Sequence, residues 1–152
     1  LAVHPRAASE YYRGRADHSV TAAVVRVVGV PVIASGDVVS AAAGLSIVES
    51  TGAAAVMVAR GAAGDPWLVG ALLSGRSAAR PPLSLVVEDL RTLLAKAVEE
   101  QGSRRAARWV RKALSWYLRP SGVGVSVIET LRTLDDAAAL DAALNELKAG
   151  AR

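Results

Sequence analysis

Three short apolar runs, Leu1-Ala2-Val3, Pro31-Val32-Ile33-Ala34 and Ala54-Ala55-Val56-Met57-Val58, punctuate the first half of this chain. None of them alternates polar with apolar residues, which is the pattern of strands buried on both faces of a parallel sheet. The segments between them read as helices. One is expected from about Ser19 to Val28, stopped by Gly29, and another begins after a capping Ser40 and runs to about Thr51, with Gly52 at its end. Strands that alternate with helices of about ten residues require crossover connections, and so specify an α/β arrangement with parallel strands.

In sheets of this kind, chemistry gathers at the carboxyl ends of the strands. Each run leads directly into a polar cluster: His4 with Arg6, then Ser35-Gly36-Asp37, then Arg60-Gly61. The opposite ends are plain Gly-Val-Pro and Gly-Ala turns. The third corner, Val56 to Trp67, is the most telling. There an apolar run enters a turn whose Gly61 and Gly64 permit positive φ and close backbone approach. Asp65 is expected to cap the next helix and Pro66 to take its first position, which would turn amides toward an anion. The corner reads as a phosphate grip, with a simple chain reversal as the plainer alternative.

Composition narrows the possibilities. A chain of 152 residues, 52% of them hydrophobic, can bury a core. The absence of cysteine excludes disulfides, thiolate metal sites and a cysteine nucleophile within these residues. His4 and His18, the only histidines, argue against a histidine-built metal centre. No apolar run reaches the roughly 18 residues of a membrane span, and no charged-then-apolar leader precedes the first strand, so a cytoplasmic location is expected. The chain opens on a strand already under way, without an initiator Met, and is expected to be a fragment.

Residues 74–83, Ser-Gly-Arg-Ser-Ala-Ala-Arg-Pro-Pro-Leu, read as a linker between two domains, 1–73 and 84–152. Beyond it the pattern is helical throughout. Ser84 is expected to cap a helix whose apolar positions Val86, Val87, Leu90, Leu93, Leu94, Ala97 and Val98 recur at three and four, closed by Gly102. A second helix is expected from Ser103 to Leu118, broken at Pro120-Ser121-Gly122. Ser126 and Glu129 form a capping-box pattern for a third. A fourth is expected from Asp135 to Ala149, with Leu140, Leu144 and Leu147 on one side. The result is a small bundle of helices.

The positive charge is unevenly distributed, and residues 103–119 hold six cations. At about 100° per residue, Arg104, Arg105, Arg108, Arg111, Lys112 and Arg119 fall within an arc of roughly 120°, with no acid among them. Ala106, Ala107, Val110, Ala113, Leu114, Tyr117 and Leu118 fill the other side. Trp109 and Trp116, seven apart, lie together along one edge of the cationic row. A cationic stripe with an aromatic margin suits a phosphate backbone plus a stacked or apolar contact, and reads as a nucleic-acid-binding face. The alternative is a solvated amphipathic face with both Trp buried in the bundle.

The order of these pieces resembles the C-terminal part of a tRNA-dihydrouridine synthase. The resemblance rests on Val3-His4-Pro5-Arg6 with Tyr12, Gly14 and Asp17; Pro31 to Asp37; Val56 to Ala62; Asp65-Pro66-Trp67; and Arg111-Lys112 followed by Trp116-Tyr117-Leu118. It spans nearly the whole chain. It implies that residues 1–73 are the last three βα units of an FMN-binding TIM barrel, a partial barrel followed by an all-α tRNA-binding domain. The loops would hold the FMN phosphate through the backbone at Ser35, Gly36 and Asp37 and at Ala59, Arg60 and Gly61, with His4 beside the flavin. The implied reaction is reduction of the C5=C6 bond of a tRNA uridine, with NADPH as reductant and a cysteine as proton donor. That cysteine, and the missing N-terminal barrel half needed to close the fold, are expected upstream. No catalytic residue is expected in this chain, and the fragment alone is expected to be inactive. Ser35, Ala59 and Pro5 depart from the Asn, Gly and Gly usual in the family.

Two other functions fit the same residues. One is another barrel oxidoreductase with FMN or a phosphate ligand, acting on a small molecule. The other is a non-enzymatic RNA-binding fragment.

Overall fold

A computed structural model describes residues 1–11, 13–75 and 80–150 of the chain. Tyr12 and the middle of the expected linker, residues 76–79, lie outside the described residues. The chain divides into two compact units between residues 78 and 79.

The first unit alternates strands and helices. Strand β1 is Ala2–Val3, helix α1 His18–Val27, β2 Ile33–Ser35, α2 Ala41–Thr51, β3 Ala55–Met57 and α3 Trp67–Ser74. The strands form one parallel sheet in the order β1-β2-β3, with Val3 opposite Ala34 and Ala34 opposite Val56. Helix α1 begins at His18 because the Asp17 carboxylate accepts the Ser19 amide at 3.1 Å. Ser40 caps α2, its hydroxyl accepting the Ala43 amide at 3.1 Å, and Gly52 ends that helix in a left-handed conformation, φ 72°. Both were legible in the sequence.

The core of this unit lies on one side of the sheet. Ala34, Val38, Ile47 and Ala53 are buried together, and Val56, Val58 and Leu72 pack against them. The third run is not buried on both faces, contrary to its apolar pattern. Met57, which alternates to the face opposite Val56, is 44% exposed, since α2 and α3 cover only the Val56 side. The start of α3 also differs from expectation. The helix begins at Trp67 with Pro66 in the capping place, and no side chain caps it.

The second unit is helical among its described residues: α4 Leu83–Gln101, α5 Ser103–Leu118, α6 Val125–Thr133 and α7 Ala137–Gly150. Helix α4 packs on α5 and α7, and α6 packs on α5. The recurring positions do face inward: Val86, Val87, Leu90, Leu114, Leu118, Ile128, Leu140 and Leu144 are each at most 1% exposed. Two expected caps are absent. Ser84 falls inside the first turn of α4, where the Pro82 carbonyl accepts the Leu85 and Val86 amides at 2.9 and 3.2 Å. Ser126 likewise lies inside α6, which starts after Gly124, and Glu129 pairs with Arg132 at 3.0 Å instead of closing a capping box.

Helix α7 is started by Asp136, whose carboxylate accepts the Ala139 amide at 3.0 Å. The Ser103 hydroxyl, at the head of α5, donates to Asp136 at 2.8 Å and accepts from the Ala137 amide at 3.0 Å. One serine thus joins the beginnings of two helices. Leu114 sits fully buried on α5, the helix against which α4, α6 and α7 all pack. Leu114→Ala should destabilise the helical unit by about 2–5 kcal/mol, read from urea denaturation followed by far-UV circular dichroism.

Candidate functional site

Parallel strands in register deliver their carboxyl ends to one edge of the sheet, and the polar clusters meet there. His4, Ser35, Gly36, Asp37, Ala59, Arg60 and Gly61 all line one cleft of about 530 Å³, together with Arg6, Gly14 and Met57. Residues distant in the chain are thereby brought into one site.

The loop after β2 is shaped by two residues with positive φ. Gly36 stands at φ 108°, where an added Cβ would lie 2.9 Å from the Ala16 Cβ and 3.0 Å from His4 Nδ1. Asp37 follows at φ 56°, a left-handed conformation that Asp tolerates better than most residues. Its carboxylate is fastened from two directions. Arg6 Nη2 reaches its two oxygens at 2.7 and 3.0 Å, and the Ala16 amide donates at 2.6 Å. Arg6 also donates to the Arg13 and Gly14 carbonyls, at 3.3 and 3.0 Å. One guanidinium therefore ties the two arms of the loop after β1 to the loop after β2.

The third corner works by closeness. Ala59 leads into a 3₁₀ turn over Arg60–Ala62, and a Cβ on Gly61 would run into the Val38 carbonyl. Gly61 is thus needed for close approach, while positive φ belongs to Gly64, at 76°. The head of α3 does not line the cleft, so the corner presents the turn itself and not the first amides of the helix.

His18 was not singled out by the sequence. Its Nε2 lies 3.0 Å from the Gly36 carbonyl, which can only accept, so Nε2 carries the proton in this contact. The Asp17 cap sets His18 at the first position of α1 and thereby against the loop. The signal available in the sequence was only its place directly after a capping residue.

One unpartnered donor belongs to a residue in the wall of the cleft. Arg6 has a side chain only 3% exposed, and its Nη1 is buried without a hydrogen-bond partner. Buried donors of this kind are rare in folded proteins and call for an acceptor. Together with the crowding at Gly36 and Gly61, this suits an oxygen-rich group. Among the described residues, no cluster of three His, Cys, Asp or Glu side chains is placed to hold a metal, and no helix is long and apolar enough to cross a membrane.

Along α5 and the Arg119 that follows it, the faces separate as expected except at Arg111 and Ala113, which are half-buried. Ala106, Ala107, Val110, Leu114, Tyr117 and Leu118 are buried, while Arg104, Arg105, Arg108, Lys112 and Arg119 are exposed. Trp109 is 46% exposed and Trp116 57%, which rules out the arrangement with both rings inside the bundle. Arg111 differs from its neighbours. It is half-buried and its Nη1 donates to the Arg132 carbonyl at 2.8 Å, near the end of α6.

A parallel sheet with a polar cleft at its carboxyl edge places the first unit in the broad class of α/β proteins, whose sites gather at the strand ends. The particular family is settled by comparison. The family profile for dihydrouridine synthase (Dus) matches residues 1–151, and the chain belongs to that family. Similar proteins include a probable tRNA-dihydrouridine synthase from Rhizobium leguminosarum bv. phaseoli, 38% identical over 78% of this chain and 36% of its own length. Another, from Mycobacterium leprae, is 34% identical over 97% of this chain and 40% of its own length. The tRNA-dihydrouridine synthase B of Escherichia coli K12 is 31% identical over 90% of this chain and 44% of its own length. The chain therefore spans less than half the length of these relatives.

Two outcomes follow from the cleft. Gly61→Ala should destabilise the first unit by about 1–3 kcal/mol, because the obstruction is backbone. Gly70→Ala in α3, with nothing within 4 Å of the added Cβ, should stabilise it by roughly 0.5–1 kcal/mol. Thermal melts of the two variants against wild type decide this. The second outcome concerns acid. The Ala16 amide, and then Arg6, hold the Asp37 carboxyl below its ordinary value of 3.8. A carboxyl lowered on folding contributes stability above that value and loses it as pH falls through the folded value. Asp37→Asn should therefore flatten the loss of stability below about pH 4, read from denaturation midpoints across the acid range.

Proposed function

We propose that this chain is the C-terminal portion of a tRNA-dihydrouridine synthase, made of the last three βα units of an FMN-binding TIM barrel, residues 1–73, a linker at 74–83, and a helical tRNA-binding domain, 84–152. The observation that carries this reading is the gathering of His4, Ser35-Gly36-Asp37 and Ala59-Arg60-Gly61 into one cleft at the carboxyl edge of a parallel sheet. Grips after the last two strands are where barrels of this kind hold phosphate.

In this reading, the backbone around Gly36 and Gly61 holds the FMN phosphate and His4 lies beside the flavin. Bound FMN supplies a hydride to the C5=C6 bond of a tRNA uridine, NADPH being the source of its electrons. The proton comes from a cysteine, and since the chain has none, that residue lies outside these 152 residues. The chain by itself is then inactive, and the whole enzyme works in the cytoplasm. The uridine has to leave the base stack to reach a flavin at the strand ends. Arg104, Arg105, Arg108, Lys112 and Arg119 contact the tRNA backbone, and Trp109 and Trp116 offer exposed rings beside it. Arg111 stands in the same row, with its guanidinium already engaged on α6.

Binding experiments separate this function from a small-molecule oxidoreductase. The chain should bind tRNA with a steep salt dependence. Arg104→Glu with Arg108→Glu should lower the affinity at least about tenfold and reduce the slope of log affinity against log salt by roughly 0.7–0.9 for each phosphate no longer neutralised. The thermal midpoint should hold, because both side chains are exposed. Arg111→Glu is less informative, since it also removes the bond to the Arg132 carbonyl. Filter binding with unmodified tRNA at several salt concentrations measures this. Absence of binding at low salt would favour a small-molecule substrate.

A further inference from the structure

A carboxylate is an unfavourable neighbour for an anionic ligand, yet Asp37 stands on the wall of the cleft with its side chain 35% exposed. Its place there has a backbone reason. At φ 56° the position favours Gly, Asn or Asp, and Asp alone can also receive Arg6 Nη2 on both oxygens and the Ala16 amide as an anion. The loop thus obtains its shape from a charge that would repel what it holds. Arg6 removes that conflict, because its guanidinium sits on both oxygens while 3% exposed, and a paired carboxylate presents little net charge to the cleft. Its Nη1 remains as a buried donor with no partner.

We propose that Arg6 is the positioning residue that sets the anion affinity of this cleft: it cancels the Asp37 charge and fixes the loop, so that a phosphate group is received beside a carboxylate. The inference rests on the phosphate reading of the cleft and deepens it by naming the pair that governs it. A structural brace alone would leave the double variant as weak as Arg6→Ala, since Arg6 also holds the Arg13 and Gly14 carbonyls. Charge cancellation instead lets the loss of Asp37 offset the loss of Arg6. Without Arg6 a bare carboxylate faces the ligand; with Asn at position 37 the loop keeps a residue suited to φ 56° and Arg6 keeps an uncancelled positive charge.

The test titrates the chain with inorganic phosphate by calorimetry and with FMN by quenching of flavin fluorescence, for wild type, Arg6→Ala, Asp37→Asn and the double variant. Far-UV circular dichroism and thermal midpoints accompany each. Arg6→Ala should lose at least about tenfold in phosphate affinity, Asp37→Asn should bind more tightly than wild type, and the double variant should recover most of the loss. An Asp37→Asn variant as weak as Arg6→Ala, or a double variant no better than Arg6→Ala, overturns the proposal. If Arg6→Ala does not fold, Asp37→Asn against wild type decides alone: tighter binding supports cancellation, equal or weaker binding overturns it. Phosphate binding with this pattern but no FMN binding leaves the inference standing and removes the flavin reading. FMN binding indifferent to Arg6→Ala does the reverse.

Discussion

The contact between Arg6 and Asp37 holds the carboxyl edge of the first unit together. The strands β1 and β2 are only two and three residues long, so their ladder alone gives little control over the loops beyond it. Arg6 supplies that control by joining Asp37 to the Arg13 and Gly14 carbonyls. Around this tie the other details fall into place. Gly36 is a glycine because the His4 ring and Ala16 leave no room for a side chain, and its carbonyl is received by His18. The cleft is the space that remains between these fastened loops and the Gly61 turn.

The second unit follows a different logic, in which a simple core leaves one helix surface cationic and exposed. Helix α5 buries small and aliphatic side chains and keeps its cations outside, because burial would strip them of water without compensation. Its two Trp rings lie at the border, where a large apolar surface stays accessible beside the charge. The Ser103–Asp136 joint fixes the heads of α5 and α7, and Arg111 fastens α5 to the end of α6. Arg111 shows that a residue in a cationic row can hold the fold while its neighbours remain available to a ligand.

Much of this was readable along the chain. The β-α rhythm, the boundary of α5, the caps at Ser40 and Gly52, and the three polar clusters at strand ends all follow from period and turn chemistry within a few residues. The caps at Ser84, Ser126 and Asp65 were misread because a serine or aspartate near a helix start caps only when the backbone turns at that residue. Pro82, Gly124 and Pro66 took the capping places instead. The exposed Met57 was missed for another reason. An apolar run does not say how many faces of its sheet are covered.

By itself the sequence determined the class of each half, the helix faces and the residues that reach the carboxyl edge of the sheet, since these depend on neighbours one to four positions away. Tertiary structure alone decided that Arg6 grips Asp37 across 31 positions, that His18 meets Gly36 across 18, and that both Trp rings stay outside the bundle. Such contacts are set by where separate elements come to rest. A local pattern supplies the side chains for them and leaves their partners open until packing brings the elements together.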